Sequence, residues 1–250
     1  MSTEAVIETN ALTKIYNGQP AVDQLTFNVH AGEIFGFLGP NGAGKTTTLL
    51  MLLGLTEPTS GSAKVLGLDP SRNPIKVKKM IGYLQENMGF YRDLNARQML
   101  HFIAELNAIK PDIADERITE ALQTVGLTEE QDKKIGAYSR GMRQRLGLAE
   151  LLIKDSKVAF LDEPTLGLDP EASHRMIEQI QNLSRDKKMT ILLSSHMLHQ
   201  VQQICHRIGI MIKGRMVAQG AIDQLAQEKF GVGKEQYTLE QIYMKYFQEA

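Results

Sequence analysis

Glu33-Ile34-Phe35-Gly36-Phe37-Leu38-Gly39-Pro40-Asn41-Gly42-Ala43-Gly44-Lys45-Thr46 reads as a strand, a glycine loop and the start of a helix. Glu33 to Leu38 is a short apolar run ending in glycine, the pattern of a buried strand. Gly39 to Thr46 matches G-x-x-x-x-G-K-[ST], and the helical segment from Lys45 to Leu53 gives the pattern the context it needs. Glycines let the backbone approach phosphate closely and take positive φ. The loop amides and the helix N-terminus attract anionic oxygens. This places Lys45 against the β- and γ-phosphates of a nucleotide and the Thr46 hydroxyl on Mg²⁺. The phosphate-contact set comprises Gly39, Pro40, Asn41, Gly42, Ala43, Gly44, Lys45, Thr46 and Thr47. The alternative is a glycine-rich strand-to-helix turn without a ligand, and the full eight-residue match in context weighs against it.

Working outward, the residues before the loop alternate apolar and polar. Val6 to Thr9 and Leu25 to Val29 read as antiparallel strands, with a turn near Gly18-Gln19-Pro20. Val65-Leu66 and Ile81 to Leu84 are further strands. From Asn87 the period becomes helical. Asn95 to Ala108 carries Met99, Phe102, Ile103 and Leu106 on one stripe, and Ile113 to Val125 and Gly141 to Ile153 are two more helices. Strands return at Lys157 to Leu161, Met189 to Leu193, Arg207 to Ile212 and Arg215 to Ala218, with a helix from Pro170 to Leu183. Thr238 and Gln241 form a capping box for a last helix. The expected architecture is α/β: a P-loop nucleotide-binding core with an N-terminal antiparallel β-subdomain and an inserted α-helical subdomain. Residues 1–86 and 154–220 make the core, 87–153 the helical insertion and 221–250 a short helical tail.

Val158 to Leu161 is an apolar strand ending in Asp162, and Glu163 follows directly. A carboxylate at that edge can accept from Mg²⁺-bound water, and a second can orient or deprotonate an attacking water. Alone the pair reads as two solvated acids; behind a P-loop it supplies the second anchor the metal needs.

Tyr138-Ser139-Arg140-Gly141-Met142 stands at the start of a helix upstream of Asp162 and resembles the LSGGQ signature of ATP-binding-cassette (ABC) proteins. Leu166-Gly167-Leu168-Asp169 resembles the D-loop, Ser194-Ser195-His196 the switch-histidine region, Tyr83 to Glu86 the Q-loop, and Tyr16 the adenine-stacking aromatic. The resemblance runs from Val6 to about Ala218. It implies an ATPase in which two cassettes close head to tail around two ATP molecules, with Ser139, Arg140, Gly141 and Met142 of one facing the P-loop of the other. It gives Glu163, His196 and Lys45 catalytic roles and places Asp169 across the dimer. Arg140 and Met142 depart from the consensus glycine and glutamine. A basic residue followed by Gly-Met is similar to the subgroup serving ABC-2-type exporters, and also to a copper-linked subunit of nitrous oxide reductase maturation. Against the family's Gly-Tyr-Leu-Pro-Gln, Gly82-Tyr83-Leu84-Gln85-Glu86 puts Glu86 rather than Gln85 toward the metal; a slip of one residue would exchange them. The implied metal set is Thr46, Asp162 and Glu86.

A formal net charge of −1 lacks the basic field of a dedicated nucleic-acid binder, so no nucleic-acid partner is expected. One cysteine allows no intramolecular disulfide. No signal peptide is read, and the most apolar run, Thr46 to Leu55, is far short of the ~20 residues that cross a bilayer. A single cassette without a membrane span implies integral-membrane permease subunits as partners, a second cassette that makes a pair of identical chains, and a place on the cytoplasmic face of the cell membrane. A cassette ATPase not engaged in transport is the main competing reading. Translation factors of the family carry two cassettes, and repair proteins carry long coiled coils; this chain has neither. A GTPase would need Asn-Lys-x-Asp, which is absent. His199 and His206 are read as structural or surface residues, and Lys76-Val77-Lys78-Lys79 as a solvated face.

Overall fold

The computed structural model describes residues 4–230 and 238–249. Ala5–Tyr16 (β1) and Gln19–His30 (β2) form an antiparallel hairpin around Asn17 and Gly18, whose φ angles are 50° and 80°. Positive φ at both central residues matches the twist of the strands, and Asn-Gly adopts it at little cost. Ser60–Val65 (β4) pairs antiparallel with β1 and completes a three-stranded sheet, β2-β1-β4. Both hairpin strands are longer than the alternation suggested.

The larger sheet contains Ile34–Leu38 (β3), Ile81–Leu84 (β5), Val158–Asp162 (β6), Thr190–Ser195 (β7), Arg207–Ile212 (β8) and Arg215–Gly220 (β9). Its order is β5-β6-β7-β3-β8-β9, parallel throughout except for β9. Both faces are covered, which explains why the central strands read as unbroken apolar runs. Alternate residues serve alternate faces. Phe35, Phe37, Val158, Phe160 and Leu192 pack toward the antiparallel sheet, where Phe27, Phe35 and Phe37 cluster edge-on and stacked at 4.8–5.7 Å. Ile34, Leu38, Ala159, Leu161, Ile191 and Leu193 pack on the opposite side, among helices.

The helices are Lys45–Leu52 (α1), Pro74–Met80 (α2), Ala96–Leu106 (α3), Pro111–Thr124 (α4), Arg140–Ile153 (α5), Pro170–Lys187 (α6), Leu198–Ile204 (α7), Ile222–Phe230 (α8) and Leu239–Glu249 (α9). Side-chain caps fix several starts. Asn95 and Gln98 form a reciprocal box on α3, Ser139 caps α5, Asp169 caps α6 ahead of Pro170, and Thr238 with Gln241 closes the start of α9. The helices α2 and α7 were not expected. Each is short, and α2 buries only Val77 while α7 buries only Val201 and Ile204, so neither carries a full stripe. The tail is helical where it is described; residues 231–237 of the expected tail lie outside the described residues.

Two glycines bring α5 against the edge of the sheet. A Cβ on Gly82 would collide with the Leu151 Cδ2 atom, and one on Gly147 with Leu84 Cδ1. The pair is reciprocal: each glycine lies under a leucine of the other element. Close approach lets α5 side chains reach the segment that follows β5.

Candidate active site

The carboxyl ends of β3, β6 and β7 meet at one sheet edge because their parallel register is unshifted. Leu38 lies opposite Ser195, and Asp162 opposite Ser194. Such an edge is where ligands bind in open α/β sheets. The Gly39–Thr47 loop leaves β3 there and enters α1. Gly44 has φ 101°, and a Cβ on it would sit 2.5 Å from the Ala21 carbonyl oxygen; one on Gly39 would strike the Met211 carbonyl. Larger residues are therefore excluded from both positions.

A cleft of about 290 Å³ opens beside this loop, lined by Ala21, Asn41 to Thr47, Glu86, Asp162 and Glu163. A larger groove of about 810 Å³ near Ala31, Arg185, Lys188 and His206 lies away from these groups. Chemistry rather than size selects the smaller one.

Lys45 is buried and donates from Nζ to the carbonyl oxygens of Gly39 at 2.7 Å and Pro40 at 3.2 Å. Its ammonium lies 3.7 Å from Glu163 Oε1. Burial lowers its pKa, and the negative charges of Glu163 and Asp162 act against that. Thr46 donates its hydroxyl to Asp162 Oδ2 at 3.0 Å. Asp162 also accepts a short hydrogen bond from the buried Ser194 hydroxyl and a longer one, 3.5 Å, from Tyr83 Oη. Burial, with Asp162 beside it, pushes the Tyr83 phenol up to about 12. Glu163 has a left-handed backbone, φ 48°, and its amide donates to the Ser194 carbonyl at 3.1 Å. Glu163 Oε2 is 3.0 Å from His196 Nδ1 and also accepts from the His196 amide at 3.4 Å.

The cluster comprises a phosphate-binding loop with its lysine, a hydroxyl and a carboxylate of the kind that holds a hard divalent cation, and a glutamate held by a histidine. The comparisons with known proteins agree with it. Residues 22–166 match the family model described as ABC transporter. The chain belongs to the ABC transporter family. The bacitracin transport ATP-binding protein BcrA of Bacillus licheniformis is 42% identical over 225 residues, covering 90% of this chain and 72% of that protein. Nod factor export ATP-binding protein I of Burkholderia pseudomallei is 37% identical over 227 residues, covering 91% and 74%. A solved ATP-binding subunit of an ABC transporter superposes with TM-score 0.86 at 28% identity, over 97% of this chain and 99% of that one. The cassette is thus an ATP-binding, ATP-hydrolysing transporter subunit with the ABC ATPase fold.

Of the residues named from sequence, Lys45, Thr46, Asp162, Glu163 and His196 come together. Glu86 lines the cleft; Gln85 is exposed and does not. Tyr16 does not line it either. It is 46% exposed at the end of β1, with Lys14 Nζ 5.0 Å from its ring centre. Ser139, Arg140, Gly141, Met142 and Asp169 lie on the α5 and α6 starts and do not line the cleft. Ser139 accepts from the Met142 amide, and Asp169 from the Ala172 amide. His206 is structural, accepting the Ile34 amide at Nδ1. Sequence reading gave no role to Ser194 or to Gln144, whose Nε2 holds the Glu86 carbonyl at 2.9 Å. The position of Ser194 at the end of a strand was the available signal; Gln144 gave none. Among the described residues no helix is long and apolar enough to cross a membrane.

Proposed function

We propose that the cassette powers export by separate integral-membrane permease subunits, at the cytoplasmic face of the cell membrane, as one of two identical cassettes closing on ATP. The convergence of Lys45, Thr46, Asp162, Glu163 and His196 on one cleft carries this reading. The relatives named for bacitracin transport and Nod factor export support an exporter. An exposed edge-to-face pair, Tyr91 and Phe102, with exposed Leu106 nearby on α3, offers an apolar surface a few residues beyond Glu86, suited to a permease segment.

In this reading Lys45 and the amides of Gly39 to Thr47 bind the phosphates. Glu163 orients the attacking water and takes its proton, and His196 holds Glu163 and contacts the γ-phosphate. Tyr16 contributes a ring to the adenine. Ser139 and Gly141 of the partner cassette present a second helix start to the same phosphate, with Arg140 and Met142 beside them and Asp169 between the two sites. Thr46, Asp162 and Glu86 would hold Mg²⁺. Their donors are all oxygen, which suits a hard cation that retains several waters. Among the described residues no cluster of three histidine, cysteine or carboxylate ligands exists, consistent with a cation completed by phosphate. The ion would neutralise charge on the phosphates during transfer. The same reading divides the chain into 1–86 with 154–220, 87–153, and 221–250.

The test is a comparison of Glu163→Gln with Lys45→Ala. Glu163→Gln should bind ATP normally, lose turnover and accumulate as a dimer under Mg-ATP on sizing; Lys45→Ala should lose ATP affinity itself. Near-normal turnover in Glu163→Gln would remove the role assigned to Glu163. A persistent monomer under saturating ATP would replace the identical pair with a heterodimer.

A further inference from the structure

Arg140 occupies the first turn of α5, where the helix dipole disfavours a cation and no acidic residue of that turn offsets it. Its side chain folds back into its own subunit. Nη2 donates to the Glu86 carbonyl oxygen at 3.5 Å and lies 3.8 Å from Glu86 Oε1. The other side of the guanidinium presses on the turn that leads to Asp169. A Cβ on Gly167 would sit 2.8 Å from Nη1 and 3.2 Å from Cζ, and Gly167 has φ 69°. Glycine takes that φ without strain and leaves room for the guanidinium. The buried Nε has no hydrogen-bond partner among the described residues. One turn later, Gln144 grips the same Glu86 carbonyl at 2.9 Å and the Gln85 carbonyl at 3.4 Å. Gln144 holds backbone alone, whereas Arg140 also offers charge to the carboxylate.

We propose that Arg140 is a positioning residue acting within its own subunit, as tether and counter-ion of the Glu86 segment, which it links to the Gly167 turn. The metal consequence rests on the reading that Glu86 faces Mg²⁺. A carboxylate paired with a guanidinium is less available to a divalent cation, so Arg140 is a built-in competitor that raises the Mg²⁺ requirement. Through Gly167 the same side chain joins the Glu86 segment to the turn carrying Asp169.

The experiment pairs amide hydrogen exchange on the full chain without nucleotide with Mg²⁺ titration of turnover. Arg140→Met should speed exchange at the Glu86 and Asn87 amides several-fold. It should also lower the Mg²⁺ midpoint by about two- to five-fold, the range of a partly exposed ion pair. Arg140→Lys keeps the charge and loses the planar fork. It should restore the Mg²⁺ midpoint but not the slow exchange. With Glu86→Gln in place, Arg140→Met should no longer move the midpoint. Unchanged exchange in Arg140→Met overturns the tether, and a midpoint shift that persists in the Glu86→Gln background overturns the counter-ion role. If Glu86→Gln by itself leaves the midpoint in place, the assignment of Glu86 to the metal falls, and exchange alone upholds or overturns the tether.

Discussion

Replacing Ser194 with alanine removes one oxygen from the centre of the site and changes little else. The hydroxyl is fully buried at the end of β7 and donates to Asp162 Oδ1. It also lies 3.3 Å from the Glu163 amide, but that amide keeps the Ser194 carbonyl at 3.1 Å, so no backbone donor is orphaned. Asp162 retains Thr46 at 3.0 Å and Tyr83 at 3.5 Å. The loss is therefore one hydrogen bond to a charged group, about 1.5–3 kcal/mol. For a chain of this size each kcal/mol shifts Tm by about 2–4 °C, so Ser194→Ala should melt roughly 3–12 °C lower. If the whole bond also holds Asp162 during phosphoryl transfer, turnover falls by at most about 10- to 150-fold. Thermal unfolding by circular dichroism and steady-state ATP hydrolysis measure the two effects. A variant that melts with the parent and turns over at its rate would refute the claim that Ser194 secures Asp162.

Other outcomes follow from single contacts. Tyr83, held near pKa about 12, should titrate late in near-ultraviolet phenolate absorbance, against a background free of tryptophan. Its pKa is raised on folding, so the stability it contributes is intact below pH 10, the unfolded value, and is lost as pH climbs from about 10 to about 12; Tyr83→Phe should remove one late step and flatten that loss. Gly44→Ala forces a side chain into φ 101° and against the Ala21 carbonyl, and should abolish ATP binding in an equilibrium assay. Gly147→Ala should lower stability by about 1–3 kcal/mol in urea unfolding despite alanine's better helix propensity, because the new methyl meets Leu84 and Met88.

Legibility followed the range of the interactions. The phosphate loop was readable because its chemistry is written in eight consecutive residues between a strand and a helix. The start of α9 was readable for the same reason, its box closing over three residues. The Ser194–Asp162 bond was not, because it depends on β7 lying beside β6, and strand order is decided by packing of the whole sheet. Helices α2 and α7 escaped notice because one turn of apolar residues looks the same in a helix as in a loop. Gln144 and Arg140 were out of reach for a further reason. The partner they share is the Glu86 backbone carbonyl, a group every residue carries, so nothing in the sequence distinguishes it.

Glu163 shows how the fold turns a sequence pair into a site. In a continuing strand Asp162 and Glu163 would point to opposite faces of the sheet, and only one carboxylate would reach the cleft. The chain instead leaves β6 through a left-handed residue, with φ 48° at a position that is not glycine. Such a conformation costs about 1–3 kcal/mol and persists only where neighbours hold it. Here β7 does so. The Ser194 carbonyl and hydroxyl flank the Glu163 amide, and the His196 amide and Nδ1 hold the carboxylate. The turn brings both carboxylates into one cleft, with Asp162 beside Thr46 and Glu163 beside Lys45. One strand end thereby serves two chemistries, and the next strand supplies the support and leads directly into the histidine.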